Sequence, residues 1–136
     1  MNNQIKSVCA RQIFDSKCRP IIEVDVITEG GVLGRGSAST GTSVGMYEAV
    51  ILVDGDPNRF GGKSVYRAID NVNNIIGPAI VGMDVTDQAA IDRRMIELDG
   101  TSNKSKLGGN AIYATSIACI KAAARTQHME LYRYIA

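Results

Sequence analysis

The stretch with the densest potential chemistry is Gly36-Ser-Ala-Ser-Thr-Gly-Thr-Ser-Val-Gly45. Its first eight residues come within one position of the phosphate-cradling pattern G-x-x-x-x-G-K-[ST]. Thr42 stands where the lysine belongs, and that lysine carries the positive charge on the terminal phosphates. No helical pattern follows directly and no strand-borne aspartate is available for Mg2+, so nucleotide hydrolysis fits poorly. A glycine-rich connection between two elements is the plainer reading. Cys18 lies between Lys17 and Arg19, whose charge would favour a thiolate. His128, the one histidine, follows a helical pattern, where a cation meets the helix dipole favourably. Asp54, Asp56, Glu97 and Asp99 fall at turns and helix ends, where capping and solvation account for them. Cys9, Cys18 and Cys119 form an odd set without a C-x-x-C pair, which fits neither a disulfide framework nor a zinc knuckle. A reduced, cytoplasmic location is expected on that ground. Cys119 reads as a buried small hydrophobe, and Tyr113, Tyr132 and Tyr134 as packing residues.

The elements that must position these groups read as strands first and helices after. Residues 21–28 alternate, with Ile22, Val24 and Val26 on one face and Glu23 and Asp25 on the other. Glu29-Gly30-Gly31-Val32 supplies a hairpin turn, residues 32–36 return antiparallel, and residues 5–14 supply a third strand. Beyond a turn at 54–58 the period changes. Val65, Ala68, Ile69, Val72, Ile75 and Ile76 mark an amphipathic helix over 63–76, stopped by Gly77-Pro78. A second helix spans 87–98, with Thr86 as N-cap and Gly100 as terminator. A third, rich in alanine, spans 109–126, and its small side chains allow close approach of a neighbour. A short helical turn holds 131–135.

The chain has 136 residues, 45% hydrophobic and 21% charged, with a formal net charge of +1, which suits one globular domain over 1–136. That balance gives no electrostatic reason to expect nucleic acid or a membrane surface as partner. The first residues contain no apolar signal core, and no run approaches the roughly 20 apolar residues of a membrane span.

Three stretches carry a family likeness: Ala10-Arg-Gln-Ile-Phe-Asp-Ser16, Leu98-Asp-Gly-Thr-Ser-Asn-Lys-Ser-Lys-Leu-Gly-Gly-Asn-Ala-Ile112, and Leu131-Tyr-Arg-Tyr-Ile135. Together they resemble the N-terminal domain of enolase, the glycolytic lyase that dehydrates 2-phosphoglycerate to phosphoenolpyruvate. The resemblance covers nearly the whole chain. It implies an α+β fold: a three-stranded antiparallel meander followed by three to four helices packed on one face. It also implies that most catalytic residues sit on a following barrel. A barrel needs about 250 residues, so none is expected within these 136. In the family a loop of pattern S-G-A-S-T-G closes over the substrate. Aligned through Glu48-Ala49 and Asp54-Gly-Asp56, the matching lid segment is Thr40, Gly41, Thr42, Ser43, Val44 and Gly45. Ser43 matches the serine that gives the second catalytic Mg2+ its oxygen ligands, a hard donor suited to that ion. Gly41 and Gly45 match the glycines that give the loop hinge freedom. Arg11 matches a position able to form an ion pair between subunits of a homo-oligomer.

The departures cluster where enolases meet substrate. Thr40 replaces a serine, Ser39 a proline, and Thr42 and Val44 replace Ala and Thr. Upstream, Cys18 replaces a glycine and Arg19 an asparagine. If that glycine needs positive φ, Cys18 strains the turn. Two functions follow as expectations. One is a capping domain of an enolase-like, Mg2+-dependent lyase, supplying the lid and a dimer surface to a barrel domain or an enolase-like chain. The other is a free-standing, non-catalytic binding or assembly domain, for which an exposed Ala/Ile-rich face on the third helix would speak. Catalysis by the 136-residue chain alone is not expected, because one metal ligand cannot abstract a carbon-bound proton.

Overall fold

The computed structural model describes residues 2–39 and 48–136. Strands β1 (Ile5–Phe14), β2 (Pro20–Thr28) and β3 (Leu33–Ala38) form one antiparallel sheet in the order β1-β2-β3. The alternation read from the sequence sets its two faces. Ile22, Val24 and Val26 are fully buried beneath helices, while Glu23 and Asp25 lie on the other face. Pro20 opens β2, where its missing N–H costs nothing. The β2–β3 turn closes with Thr28 N donating to Val32 O at 3.0 Å and Gly31 at φ 84°.

The helical half contains α1 (Tyr66–Asn71), α2 (Gly77–Ile80), α3 (Gln88–Asp99), α4 (Gly109–Thr126) and α5 (Leu131–Ile135). The expected meander and helices are therefore present, but the first helix runs differently from the sequence reading. It begins at Tyr66 and does not stop at Gly77-Pro78. A wide turn of π type over Val72–Ile76 joins α1 to α2 without a break. Gly77 N donates to Val72 O, five residues back. Pro78 then falls in the first turn of α2, where the absence of an N–H is tolerated. At α3 the cap is Asp87, whose carboxylate accepts from Ala90 N at 3.3 Å. Thr86, the expected cap, turns instead to Asp84, with its hydroxyl 2.7 Å from the carboxylate. Gly100 ends α3 at φ 70°, as expected.

Helix α4 is the hub. It lies along β3 and β2, and Gly34 and Gly36 make this possible. A Cβ added at Gly36 would sit 2.5 Å from Ala114 O and 2.6 Å from Ala118 N; one at Gly34 would collide with Ala118 O and Ala122 N. Backbone packs on backbone there, and Ala114, Ala118, Ala122 and Ala123 are fully buried. The alanine-rich face of α4 is thus spent inside the domain, and Ile117 and Ile120 are half-buried, so α4 does not present the exposed Ala/Ile face that would speak for a free-standing assembly domain. Of the three tyrosines expected to pack, only Tyr134 reaches the core, while Tyr113 and Tyr132 are exposed.

The two edges of the sheet are treated differently. Beside β1, Asn73 donates to and accepts from Ala10, with Ala10 N to Asn73 Oδ1 at 2.8 Å. Further along, Ile5 N reaches Met83 O at 2.9 Å and Gly82 N reaches Ile5 O at 2.8 Å. No equivalent strap runs beside β3 among the described residues.

Candidate functional site

The expected lid residues Thr40, Gly41, Thr42, Ser43 and Gly45 all lie outside the described residues. The two flanks of that segment are described, and both are fastened to α4. The incoming flank is β3, held against α4 through Gly34 and Gly36. The outgoing flank is the extended run from Glu48 to Asp54. Val50 N donates to Asn103 O at 2.9 Å, and Gly109 N donates to Val50 O. Asn110, on the first turn of α4 and 2% exposed, holds Leu52 at both backbone groups: Leu52 N donates to Oδ1 at 3.1 Å and Nδ2 donates to Leu52 O at 3.2 Å. Bulk is excluded at this crossing, since a Cβ on Gly109 would lie 2.9 Å from Ala49 Cβ.

The turn that delivers Asn110 is built around Asp99. Its buried carboxylate accepts from Leu107 N at 2.7 Å, Thr101 N at 2.9 Å and the Thr101 hydroxyl. Burial alone would raise its pKa, but these donors outweigh burial and hold the carboxyl below the usual carboxylate range. Asp54 ends the outgoing flank by capping α1, accepting from Tyr66 N at 3.0 Å and Arg67 N at 2.8 Å. Capping roles expected from the sequence thus hold for Asp54. Asp99 goes further, organising a whole turn.

The other altered stretch is the β1–β2 turn. Asp15 accepts from Lys17 N, Arg19 N and Arg19 Nε, each at 2.9 Å, with Arg19 N the main cause of its lowered pKa. Cys18 takes φ 59° here, the conformation anticipated for a position that suits glycine. Its side chain is exposed. Cys119 is the opposite case: fully buried, with desolvation pushing its thiol up to about 12 and the Asp92 carboxylate adding to the shift.

On the open face of the sheet four charges span all three strands. Arg11 reaches Glu23 at 2.7 Å and Asp25 at 2.5 Å; Arg35 reaches Asp25 at 2.7 Å and Glu23 at 3.6 Å. The hydrogen bonds from Arg35 and then Arg11 hold the Asp25 carboxyl down to about 2. The same pairing, with Asp25 first, raises the Arg11 pKa. Arg11, expected at a subunit interface, is therefore paired within its own sheet. Sequence reasoning missed Asp25 and Arg35, although Asp25 opposite Arg35 across a hairpin was a readable cross-strand pair.

The stretches 10–16, 98–112 and 131–135, which carry the family likeness, fall at the β1–β2 turn, around the Asp99 turn and in α5. The family model described as "Enolase, N-terminal domain" matches residues 5–135. The chain belongs to the enolase N-terminal domain family. In full enzymes this domain packs with a C-terminal barrel, and enolases generally depend on Mg2+. Among the described residues of this enolase domain, no three His, Cys, Asp or Glu side chains converge to hold a metal ion. Nor is any described helix long and apolar enough to cross a membrane.

Proposed function

We propose that the chain is the capping domain of an enolase-like lyase, which presents residues 40–47 to an active site completed by a barrel. The observation that carries this reading is the anchoring of both flanks of that segment on one helix. β3 enters along α4 through two glycines, and the outgoing run leaves through the Asn110 clamp at the start of α4. Anchored flanks fix where the chain leaves and re-enters the body of the domain, which suits a lid that must reach a fixed site. The reaction would be dehydration of 2-phosphoglycerate to phosphoenolpyruvate. Mg2+, bound mainly by the barrel, would stabilise the charge developing next to the carboxylate, with Ser43 as this domain's ligand. This domain supplies neither the base nor the acid. Its own contribution is to hold Ser43, Gly41 and Gly45 at the mouth of the site.

The test starts from the intact mass of the protein in its native cells, against 14.6 kDa for the 136 residues. In a barrel-bearing protein, Ser43→Ala should lower Mg2+-dependent turnover on the order of 10- to 100-fold. Unchanged turnover would remove Ser43 from the site. A second reading, a free-standing assembly domain, draws on exposed apolar groups. Phe14 and Phe60 pack with tilted rings, centroids 5.2 Å apart, and each is about half exposed, at 51% and 53%. For that reading a native mass of 14.6 kDa and concentration-dependent association in light scattering are the expected results.

A further inference from the structure

Among the described residues the outer edge of β3 is open, and its hydrogen-bonding groups can be assigned. Residues of an antiparallel pair alternate between facing the partner strand and facing away. Thr28 N donates to Val32 O, which fixes Val32 as facing β2. Counting in twos along the register, Gly34, Gly36 and Ala38 also face β2, opposite Val26, Val24 and Ile22. Leu33, Arg35 and Ser37 then direct their backbone groups outward. One of these is engaged: Leu33 O accepts from Arg125 Nη1 at 3.1 Å, which agrees with the assignment. The N–H and C=O of Arg35 and Ser37 have no partner among the described residues. Natural sheets normally blunt such edges, and this sheet does so at β1 with Asn73 and the 82–85 strap.

A cleft of about 760 Å³ runs along this edge, with β3 as one wall and the end of α4 and the start of α5 as the other. Lys121, Arg125, Met129 and Glu130 line the helical wall. Arg11 and Arg35 together balance Glu23 and Asp25 on the open face. On the helical wall Lys121 and Arg125 stand against Glu130, which leaves the cleft with a positive balance. A second copy of β3 is a poor occupant. Symmetric pairing centred on Arg35 places two guanidinium groups opposite one another, and like charges facing across strands destabilise.

We propose that β3 is a docking edge for an extended, acidic peptide segment of a partner protein, added as a fourth strand over Leu33 to Ser37. The ladder supplies affinity through the backbone of Arg35 and Ser37. Lys121 and Arg125 select acidic side chains projecting toward the helical wall, and Met129 and Leu131 offer apolar contact at its end.

The experiment titrates the isotope-labelled 136-residue chain with a capped hexapeptide of alternating Val and Glu. Three controls accompany it: the Val/Lys peptide, the Val/Glu peptide N-methylated at alternate residues, and the chain alone over a range of concentrations. Expected are shifts confined to the β3 edge and the cleft, slowed amide exchange at Arg35 and Ser37, and loss of binding on N-methylation. Ser37→Pro, which removes an outward N–H at an edge where proline is tolerated, should abolish binding. Lys121→Glu with Arg125→Ala should weaken it on the order of threefold to tenfold while β3 stays folded. The proposal is overturned if the N-methylated or the Val/Lys peptide binds as well, if shifts fall on the open face, or if nothing binds at millimolar peptide. It is equally overturned if the chain alone forms a dimer that Ser37→Pro abolishes, which would make the edge a self-pairing site.

Discussion

At the scale of single residues, two positions hold measurable free energy. Cys18 adopts φ 59°, and for a residue with a Cβ the left-handed region costs roughly 1–2 kcal/mol. Glycine removes that cost but gains freedom in the unfolded chain, which returns part of it. Cys18→Gly should therefore stabilise the domain by about 0.5–1 kcal/mol, read as a raised urea midpoint with an unchanged m-value; a lowered midpoint would show that the turn is unstrained. Asp25 is the second position. Its folded pKa of about 2 lies below the ordinary aspartate value of 3.8, so the unfolded chain binds its proton more readily. Its stabilisation is complete above the unfolded value and disappears as pH falls through about 2. Asp25→Asn should cost about 2 kcal/mol at pH 7, and the gap between wild type and variant should close in acid. A gap that is constant with pH would mean that the carboxylate's charge is not what Arg11 and Arg35 hold.

At the scale of elements, the sequence was legible wherever a local pattern agreed with its tertiary use. Alternation along β2, the glycine turn at Gly31 and the small residues of α4 all point the same way as the packing. It was illegible where two local signals competed. Gly77-Pro78 reads as a stop, yet a wide turn at Val72–Ile76 lets the helix absorb the proline. Thr86 and Asp87 are both good caps, and only the nearby Asp84, which takes the Thr86 hydroxyl, decides between them. The pairing of Arg11 within its own sheet was hidden because its partners, Glu23 and Asp25, are 12 and 14 residues away. The candidate lid was legible only as a family likeness, but the residues that anchor its flanks lay in the best-matching stretch, 98–112, where they read as scaffold. Asn110 tests that link between scaffold and lid. Removing its amide leaves Leu52 N and Leu52 O unpaired, a loss of about 2–3 kcal/mol. Asn110→Ala should speed exchange at the Leu52 amide more than in β2, and Asn110→Asp should not rescue it, since a carboxylate would face Leu52 O. Equal acceleration throughout would mean that Asn110 supports the fold alone and not the flank. Gly36→Ala is the complementary case on the incoming side. Its methyl group meets α4 backbone that cannot swing aside, so a loss of up to about 3 kcal/mol is expected in thermal or urea unfolding.

At the scale of the whole molecule, sheet and helices share one core in which α4 touches β2, β3, α1, α3 and α5. None of these five elements can leave without exposing the buried face of α4, so local opening around Cys119 should not occur short of global unfolding. The three cysteines make this testable without any mutation. Cys9 and Cys18 are exposed, and Cys119 is fully buried with its thiol pushed up to about 12, which suppresses the nucleophilic thiolate in the folded state. A thiol reagent at neutral pH should consume two equivalents at once. The third should react only through the unfolded state, at a rate set by the unfolding equilibrium when refolding outpaces labelling. The free energy obtained from that slow phase should match the one from urea titration, and both should fall together in Gly36→Ala. A third equivalent that reacts with a smaller free energy than urea reports would show that α4 detaches as a separate unit. In that case the helix that ties down both flanks of residues 40–47 could not act as their rigid support.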